Sequence, residues 1–392
     1  MKPRTSPSVE RPTSRLKAAA LALLTVAACT TGGLASMLVS AGTPAPPARS
    51  AAVDPVAALG EELFFDPRLS ADGRVSCASC HLPDKYFSDG LPVSKGVDGK
   101  PGARNAPSLL NALANGSQFW DGRSPTLEHQ ALQPFTNPNE MGLPDLDTLV
   151  RRVADDPAYR QAFARAFGTA ARRDGITAPR IADAIARYER TLVAPPAPFD
   201  RHTDAAPAMS PEALRGYRLF TGYAKCASCH TVNGGNGVNR PSAPFTDDTF
   251  HTLSVGLERI AGDLAPLSLE VVRLRENGRS ADDVLVELPQ ASPLGRFILT
   301  LKAGDIGAFR TPSLRNVAET APYMHDGSLP TLEEAVDHEV YYRSSEQGRP
   351  MLLTPTERRE LVEFLRTLSS PRDEVAALGR PVPPSVRRDH AF

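Results

Sequence analysis

One pentapeptide occurs twice in this chain of 392 residues, first as Cys77-Ala78-Ser79-Cys80-His81 and again as Cys226-Ala227-Ser228-Cys229-His230. Two thiols at this spacing bond to the two vinyl groups of one porphyrin, and the adjacent histidine then lies beneath the iron as an axial ligand. A zinc or thiol redox site is the alternative for a single copy. Because four of the five cysteines belong to the two copies, no further cysteine pair remains to complete a zinc site. The repeat therefore predicts two covalently attached c-type haems.

The repeat extends upstream of the two motifs. Leu63-Phe64-Phe65 precedes the first motif and Leu219-Phe220 precedes the second, each after a glycine and a helical apolar pattern. An amphipathic helix thus leads into each attachment loop, as in a cytochrome c module, which indicates two homologous haem domains. Aromatic residues make up 6% of the chain and prolines number 37, which favours helices and long loops over a sheet-rich fold. We expect a mostly α fold with two cytochrome c-like haem domains in tandem, long loops and little β structure.

A proline-rich stretch at residues 194–209 suggests the boundary between these domains. We place the first haem domain at residues 51–205, the second at residues 206–375, and a tail at residues 376–392.

The first fifty residues predict an export segment. Lys2 and Arg4 precede an uncharged run over residues 18–48, and haem attachment of this type takes place outside the cytoplasm, so residues 1–50 are interpreted as a signal plus linker of a periplasmic protein. Within the run, Val26-Ala27-Ala28-Cys29 resembles a lipobox, which would make Cys29 a lipid anchor. An ordinary signal peptide and an uncleaved membrane anchor are the alternatives, since about 20 apolar residues span a bilayer. The formal net charge of −1 excludes a nucleic-acid partner.

Local patterns predict several elements. Three helix starts are indicated by a capping side chain followed by proline at the first helical position: Asp54-Pro55, Ser210-Pro211 and Thr354-Pro355. Helical periodicity also covers residues 146–167 and 181–192. We expect a small hairpin between the apolar runs 284–286 and 297–299, and little regular structure after Pro371.

Three side chains between the haem motifs are candidates for chemistry: Trp120, Gln130 and Glu140. A lone tryptophan is usually a core residue, and a glutamate in a loop bounded by proline and glycine is usually solvated. A haem that cleaves peroxide, however, needs an acid-base group that moves a proton from the iron-bound oxygen to the leaving oxygen, and glutamate can do this.

Five further runs stand out over residues 54 to 370: Leu59-Gly60-Glu61-Glu62-Leu63-Phe64-Phe65-Asp66, Arg104-Asn105-Ala106-Pro107-Ser108-Leu109, Phe119-Trp120-Asp121-Gly122-Arg123, Thr311-Pro312-Ser313-Leu314-Arg315-Asn316 and Thr320-Ala321-Pro322-Tyr323-Met324-His325-Asp326-Gly327. Together they resemble the bacterial di-haem cytochrome c peroxidases and the related MauG enzymes. The resemblance implies that the haem on His81 is the peroxidatic one, with Gln130 and Glu140 on its distal side. It also implies that the haem on His230 relays electrons, with Trp120 between the two haems.

The same resemblance implies a calcium ion held by Asn105 and by the backbone carbonyls of Thr320 and Pro322. Oxygen ligands completed largely by water suit this hard cation. The alternative is that Asn105 only caps a turn.

One departure from the family pattern concerns the relay haem. Family members carry a Met, or in MauG a Tyr, fourteen residues after the histidine of the His-Asp-Gly motif, and that residue ligates the iron. The same count from His325 leads to Glu339. A carboxylate would bind the iron or hydrogen-bond to a bound water, which would give a low-potential relay haem. We favour Glu339 in this role over Met324, Tyr341 and Tyr342.

A second departure lies in the loop between His81 and Asn105. Peroxidases of the family carry there a histidine that occupies the peroxidatic iron until the relay haem is reduced, and the matching position here is Val97. The whole loop lacks histidine, so we expect this iron to be open to peroxide at rest. Of the other histidines, we expect four at the surface and two near the haem ligands: His129, His202, His338 and His390 in the first group, His251 and His325 in the second.

The expected function is reduction of hydrogen peroxide to water, with electrons from a small cytochrome c or cupredoxin. One rival is a MauG-like enzyme that oxidises a protein or organic substrate. The other is a non-catalytic dihaem electron-transfer protein, which leaves the Trp120, Gln130 and Glu140 spacing unexplained. A homodimer is left open.

Overall fold

The computed structural model describes residues 54–168, 175–203, 206–232, 244–346, 348 and 350–379. The expected export segment with Cys29, and the end of the tail with His390, lie outside the described residues. Within the described part of the chain, no helix combines the length and apolar character needed to cross a membrane.

Helices dominate the described chain, which confirms the expected mostly α fold. The α-helices are α1 (Pro55–Phe64), α2 (Cys77–Cys80), α3 (Leu127–Thr136), α4 (Leu146–Asp155), α5 (Pro157–Phe167), α6 (Ala178–Glu189), α7 (Pro198–Arg201), α8 (Pro211–Thr221), α9 (Leu264–Glu276), α10 (Ala281–Glu287), α11 (Phe297–Thr300), α12 (Leu332–Glu346), α13 (Pro355–Arg366) and α14 (Arg372–Leu378). Short 3₁₀ turns connect them at Pro67–Leu69, Pro83–Lys85, Val97–Gly99, Ala112–Ala114, Cys226–Ser228, Leu257–Ile260, Pro289–Leu294, Ala303–Asp305 and Val317–Glu319. One antiparallel sheet pairs β1 (Phe250–Thr252) with β2 (Ala308–Arg310), with His251 opposite Phe309.

The first half is organised around the crossing of α1 and α6. Asp54 caps α1 by accepting a hydrogen bond from the Val56 amide at 2.9 Å. Where the two helices cross, a Cβ atom on Gly60 would lie 1.8 Å from the backbone oxygen of Ala184. Only glycine therefore permits this close approach.

The second half repeats the same crossing with α8 and α13. Ser210 caps α8 by accepting from the Ala213 amide at 3.1 Å. A Cβ atom on Gly216 would lie 1.8 Å from the backbone oxygen of Glu360, the same clash as in the first half. All three predicted helix starts are confirmed, since Thr354 likewise accepts from the first turn of α13 at 3.2 Å.

A second internal repeat links residues 106–122 with residues 311–327, 205 positions later. Asn111 and Asn316 both have φ of 61°, and Gly122 and Gly327 both have positive φ, at 69° and 60°. These left-handed positions recur because the same loop path is built twice.

The expected hairpin in the second half is wrong. The apolar run 284–286 lies in α10, and the run 297–299 lies in α11. Ser280 caps α10 by accepting from the Asp283 amide at 3.0 Å. Val284 and Ile298 are fully buried in one apolar cluster with residues of α9, so burial on helices explains the apolar runs that the sequence interpretation assigned to strands.

Two helix predictions need adjustment. The helical pattern over 146–167 is split into α4 and α5, because Asp156 leaves the helical conformation and caps α5 ahead of Pro157. After Pro371 the chain forms the short helix α14, whose Val375 is fully buried against Phe87 and Tyr188 of the first half. Seven residues are too few to show a helical period in the sequence.

Candidate functional site

The first attachment motif forms the helical turn α2. Ser76 and Ser79 cap it, with the Ser76 amide donating to Ser79 Oγ at 3.0 Å. His81 Nδ1 lies 3.0 Å from the Phe87 backbone oxygen, and burial lowers the pKa of His81. A neutral imidazole that donates through Nδ1 keeps Nε2 available for a metal. This donor set fits a haem attached to Cys77 and Cys80.

The second attachment motif repeats the arrangement. Cys226–Ser228 forms a 3₁₀ turn, and His230 Nδ1 lies 3.0 Å from the backbone oxygen of Phe245. Phe87 and Phe245, which supply the two carbonyl acceptors, share an unusual positive φ, of 57° and 51°. These residues therefore also fit a covalently bound haem.

Glu140 lies in the loop that follows α3. This loop folds back along the helix end, with the Met141 amide bonded to the Pro134 oxygen at 3.1 Å, so Glu140 returns beside the helix that carries the half-buried Gln130. Asn137 Nδ2 donates to Glu140 Oε1 at 2.8 Å. Burial raises the pKa of Glu140 to about 7, a value suited to proton exchange near neutral pH.

The loop containing Val97 holds the Glu140 backbone in place. The Val97 amide donates to the Glu140 oxygen at 2.8 Å, and a Cβ atom on Gly96 would lie 2.1 Å from the Asn139 oxygen. Val97 itself is 3% exposed and packs into the apolar core of the first half. Its side chain serves packing and offers no donor atom for iron.

Hydrogen bonds connect Trp120 to the second half of the chain. Its indole Nε1 donates to the Asn105 backbone oxygen at 2.9 Å, and its own backbone oxygen accepts from the Arg310 amide at 2.7 Å. The Asn105 amide in turn donates to the His325 backbone oxygen at 2.8 Å. Hydrogen bonds thus connect Trp120, through Asn105, to the loop of the second half that contains His325.

A buried ion network beside Trp120 was missed in the sequence analysis. Asp121 is fully buried, and although burial opposes it, the charges of Arg104 and Arg123 hold the pKa of this carboxyl well below its usual range. Arg104 binds Asp121 at 2.5 Å, and Arg123 bridges from Asp121 at 3.1 Å to Asp282 on α10 at 2.7 Å. The adjacent charges of Asp121 and Arg123 are the only signal in the sequence, and nothing local points to Asp282.

The network acts on Glu140. Burial is the largest influence on the pKa of Glu140 and raises it. The charge of Arg123 lowers this pKa, and the charge of Asp282 raises it. A residue of the second half therefore takes part in setting the protonation of an acid in the first half.

The candidate calcium residues lie where the two halves meet. Asn105 is buried, and its Nδ2 donates to the Leu91 oxygen at 2.8 Å, which leaves Oδ1 as an oxygen donor. The bond from the Asn105 amide to the His325 oxygen joins the Asn105 backbone to the segment that follows Thr320 and Pro322. An amide oxygen and backbone carbonyls are chemically suited to calcium.

Glu339 lies on the face of α12 that packs inward. Leu332, Ala335 and Val340 of this helix join the apolar cluster that also contains Cys226, and Glu339 shares their side by helical spacing. Tyr341 is 69% exposed, so it points away from this cluster.

The other two alternatives to Glu339 differ in position. Tyr342 is half-buried, with its ring 4.6 Å from the ring of His338. Met324 packs against the same apolar cluster as the inner face of α12.

The remaining histidines occupy varied positions. His129 is exposed, and His202 and His338 are half-buried. His202 accepts from the Ala208 amide, and His338 contacts the Leu253 oxygen at 3.2 Å.

The two histidines expected near the haem ligands differ in burial. His251 pairs with Asp247 at 2.9 Å, and both lie within 4.8 Å of Cys229. His325 is buried, stacks on Phe309 with ring centroids 3.8 Å apart, and has no partner for Nδ1 among the described residues.

Comparison with known proteins agrees with this geometry. The family model described as di-haem cytochrome c peroxidase matches residues 54–207. The methylamine utilization protein MauG of Methylorubrum extorquens is 38% identical over 335 residues, covering 83% of this chain and 80% of that protein. Cytochrome c551 peroxidase of Nitrosomonas europaea is 34% identical over 318 residues, covering 80% of each chain. A crystal structure of a MauG-like protein associated with microbial copper homeostasis superimposes with a TM-score of 0.64 at 28% identity, covering 87% of this chain and 96% of that one.

Proposed function

This chain belongs to the di-haem cytochrome c peroxidase family, and from that premise we propose that it reduces hydrogen peroxide to water with electrons from a small redox protein. Family membership implies haem cofactors. We assign the first haem to Cys77, Cys80 and His81, and the second to the matching residues of the repeated motif, Cys226, Cys229 and His230. Each bound haem would supply an iron that exchanges single electrons. We retain residues 51–205 and 206–375 as the two haem domains.

The observation that carries this proposal is the desolvated Glu140. Reduction of one peroxide consumes two electrons and two protons and releases two waters. A carboxyl with its pKa raised to about 7 can accept the proton from one peroxide oxygen and return it to the other, which leaves as water. The bond from Asn137 to Oε1 orients the carboxyl for this transfer. Gln130, on the adjacent helix, is proposed to position the peroxide by hydrogen bonding.

Trp120 is proposed to pass electrons between the two halves, and a haem bound at His230 would supply the second one-electron centre. The hydrogen bonds from Trp120 to Asn105 and from Arg310 to Trp120 support a fixed aromatic group between the two halves. Val97, buried in the core, supports a first haem that is accessible to peroxide without a preceding reduction.

A second candidate function is MauG-like oxidation of a protein or organic substrate. It is favoured by Glu339, which places a carboxylate rather than a thioether on the inward face of α12. An oxygen ligand would lower the potential of the second haem.

A steady-state assay of the two-haem protein with reduced cytochrome c and hydrogen peroxide tests the proposal. We expect sustained peroxide-dependent oxidation of the cytochrome. Poor turnover together with a fast reaction of the ferric protein with peroxide would support the MauG-like alternative. Absence of any rapid reaction with peroxide would leave a non-catalytic electron-transfer protein.

Three accessory features are also proposed. Asn105, Thr320 and Pro322 would hold calcium, which chelation followed by spectroscopy of both haems would test. Residues 1–50 would direct export to the periplasm, with Cys29 as a lipid anchor, and mass spectrometry of the mature N-terminus would test this. A homodimer would be detected by sedimentation.

A further inference from the structure

Helix α6 carries a buried acid that the proposed reaction does not use. Glu189 is 3% exposed, and its Oε2 has no hydrogen-bond partner among the described residues. The preceding Tyr188 is buried to the same extent, and its hydroxyl also lacks a partner there. Burying a carboxyl or hydroxyl without a partner costs free energy, so two such neighbours call for a functional explanation.

Both groups lie beside the first attachment motif. Tyr188 packs in one apolar cluster with Phe87 and Cys77, and the Phe87 carbonyl is the acceptor for His81. Burial is the largest cause of the raised pKa of the Cys77 thiol, and the negative charge of Glu189 is the next largest. In a haem-loaded protein the Cys77 sulfur is bonded to the porphyrin, so a neighbour of this sulfur is also a neighbour of the haem edge.

Few charges stabilise an ionised Glu189. Burial raises the pKa of Glu189 to about 8, the adjacent Arg190 lowers it, and Glu128 on α3 raises it. Arg190 binds Glu128 at 2.5 Å, so its charge is already largely compensated. Tyr188 and Cys77 also lie within electrostatic range of the carboxyl, and Glu61 of the packed helix α1 adds a negative charge near Tyr188. The Cys77 sulfur no longer titrates once it is bonded to haem.

We propose that Glu189 is a redox-linked proton acceptor of the first haem, taking one proton from water when the haem gains one electron and releasing it on reoxidation. This rests on the proposed haem attachment to Cys77. An added electron increases the negative charge near the carboxyl and so favours its neutral form. By linkage, the proton must in return make the haem easier to reduce. The buried, partnerless Oε2 suits this role, because no fixed hydrogen bond competes for the proton.

The midpoint potential of the first haem, measured by spectroelectrochemistry at several pH values from neutral to alkaline, tests the proposal. In the wild type we expect the potential to be nearly constant below the Glu189 pKa of about 8 and to fall by about 59 mV for each tenfold fall in proton concentration above it, where the carboxyl is ionised before reduction. Glu189→Gln should make it nearly independent of pH. Asp183→Asn removes a more exposed acid from the same helix and should keep the wild-type slope.

Glu140 requires a separate control, because its pKa is also raised to about 7. Glu140→Gln should retain the pH dependence of the potential. If the slope instead disappears in Glu140→Gln and persists in Glu189→Gln, the proposal is overturned.

A measurement on the unmodified protein covers the case in which Glu189→Gln fails to load haem. Redox-difference infrared spectra should contain a carboxylic acid C=O band that shifts in D₂O, and this band should persist in Glu140→Gln. Absence of the band in the wild type would overturn the proposal. Neither measurement uses peroxide, so failure of the peroxidase assay and failure of this inference are distinguishable.

Discussion

The two halves of the molecule share one scaffold but place different side chains at matching positions. Both contain a helix crossing that only glycine permits, at Gly60 and Gly216, and both hold a proximal histidine by a backbone carbonyl. Yet the loop repeat puts Trp120 in the first half where the second half has His325. The shared residues therefore serve the attachment geometry, and the differing ones are where a division of labour can arise.

A further difference lies at another matching position, ten residues earlier in the loop repeat. Leu110 of the first half packs in an apolar cluster, whereas its counterpart Arg315 forms a buried pair with Asp200 at 2.6 and 2.7 Å and lies over the ring of Phe245. The carbonyl of Phe245 is the acceptor for His230. A fixed charge pair thus stands near the second proximal histidine, and an apolar environment near the first.

The largest expected effect separates the acids of the two halves. Glu140→Gln should lower peroxide turnover by about 10²–10⁴-fold, because it removes the titratable group and keeps the shape. Both haems should remain attached. The exposed Asp147→Asn, measured in the same steady-state assay, should leave turnover unchanged. Wild-type turnover in Glu140→Gln would remove this residue from the reaction.

The second prediction concerns activation of the first half by the second. Since Val97 provides no iron ligand, the fully oxidised protein should react with peroxide as fast as a sample that has first received one electron. Stopped-flow mixing of both samples measures this, and a low-temperature paramagnetic resonance spectrum should show a high-spin first haem. A strict need for reduction beforehand would contradict the prediction.

The third prediction concerns communication between the halves. Trp120→Phe removes the indole donor to Asn105 and should slow electron transfer between the haems by about tenfold, equivalent to about 1.4 kcal/mol of barrier. Peroxide binding at the first haem should be retained. The exposed Tyr223→Phe serves as the aromatic control. Equal spectral rates at the second haem in mutant and wild type would exclude Trp120 as a bridge.

The fourth prediction tests the difference in the second half. Glu339→Gln should shift the potential of the second haem by about 59 mV, a tenfold change in its reduction equilibrium, since a charged oxygen donor becomes neutral. Asp337→Asn, on the same helix but paired with Arg358, should have little effect. A charge-transfer band characteristic of His-Met ligation in the wild type would show that Met324 or another methionine is the ligand.

The smallest effect should come from Asp282. Peroxide reaction requires ionised Glu140, so its rate constant should fall about tenfold per pH unit below a pKa of about 7. The Asp282 charge raises this pKa, so Asp282→Asn should move the fall to lower pH. The exposed Glu276→Gln on α9 is the matched control. A pH profile of stopped-flow rates for the three proteins measures the shift, and an unmoved profile in Asp282→Asn would refute the coupling.

Local chemistry explains which parts of the structure were predictable from sequence. Helix starts at Asp54, Ser210 and Thr354 were confirmed because capping side chains and proline act within one turn. The hairpin was wrong because short apolar runs are compatible with either strand or buried helix, and only the packing around Val284 decides between them.

Site residues whose partners lie far along the chain could not be predicted. Arg123 forms an ion pair with Asp282, which lies 159 positions later in the chain, and no local sequence pattern predicts this pair. Glu189 looks like an ordinary polar residue of a helix, since its isolation depends on tertiary burial. The roles of Gln130 and Glu140 came from family resemblance, and the structure adds the desolvation that makes Glu140 a suitable acid.

The ion network from Arg104 through Asp121 and Arg123 to Asp282 joins a residue of the second half to residues of the first. The two halves therefore cannot be exchanged independently between relatives, although they share one scaffold. A chimera that joined residues 54–205 to the second half of a relative lacking an acid at the position of Asp282 would leave Arg123 with one carboxylate instead of two. Such a hybrid would keep both haem-attachment motifs and lose the carboxylate of the second half that raises the pKa of Glu140.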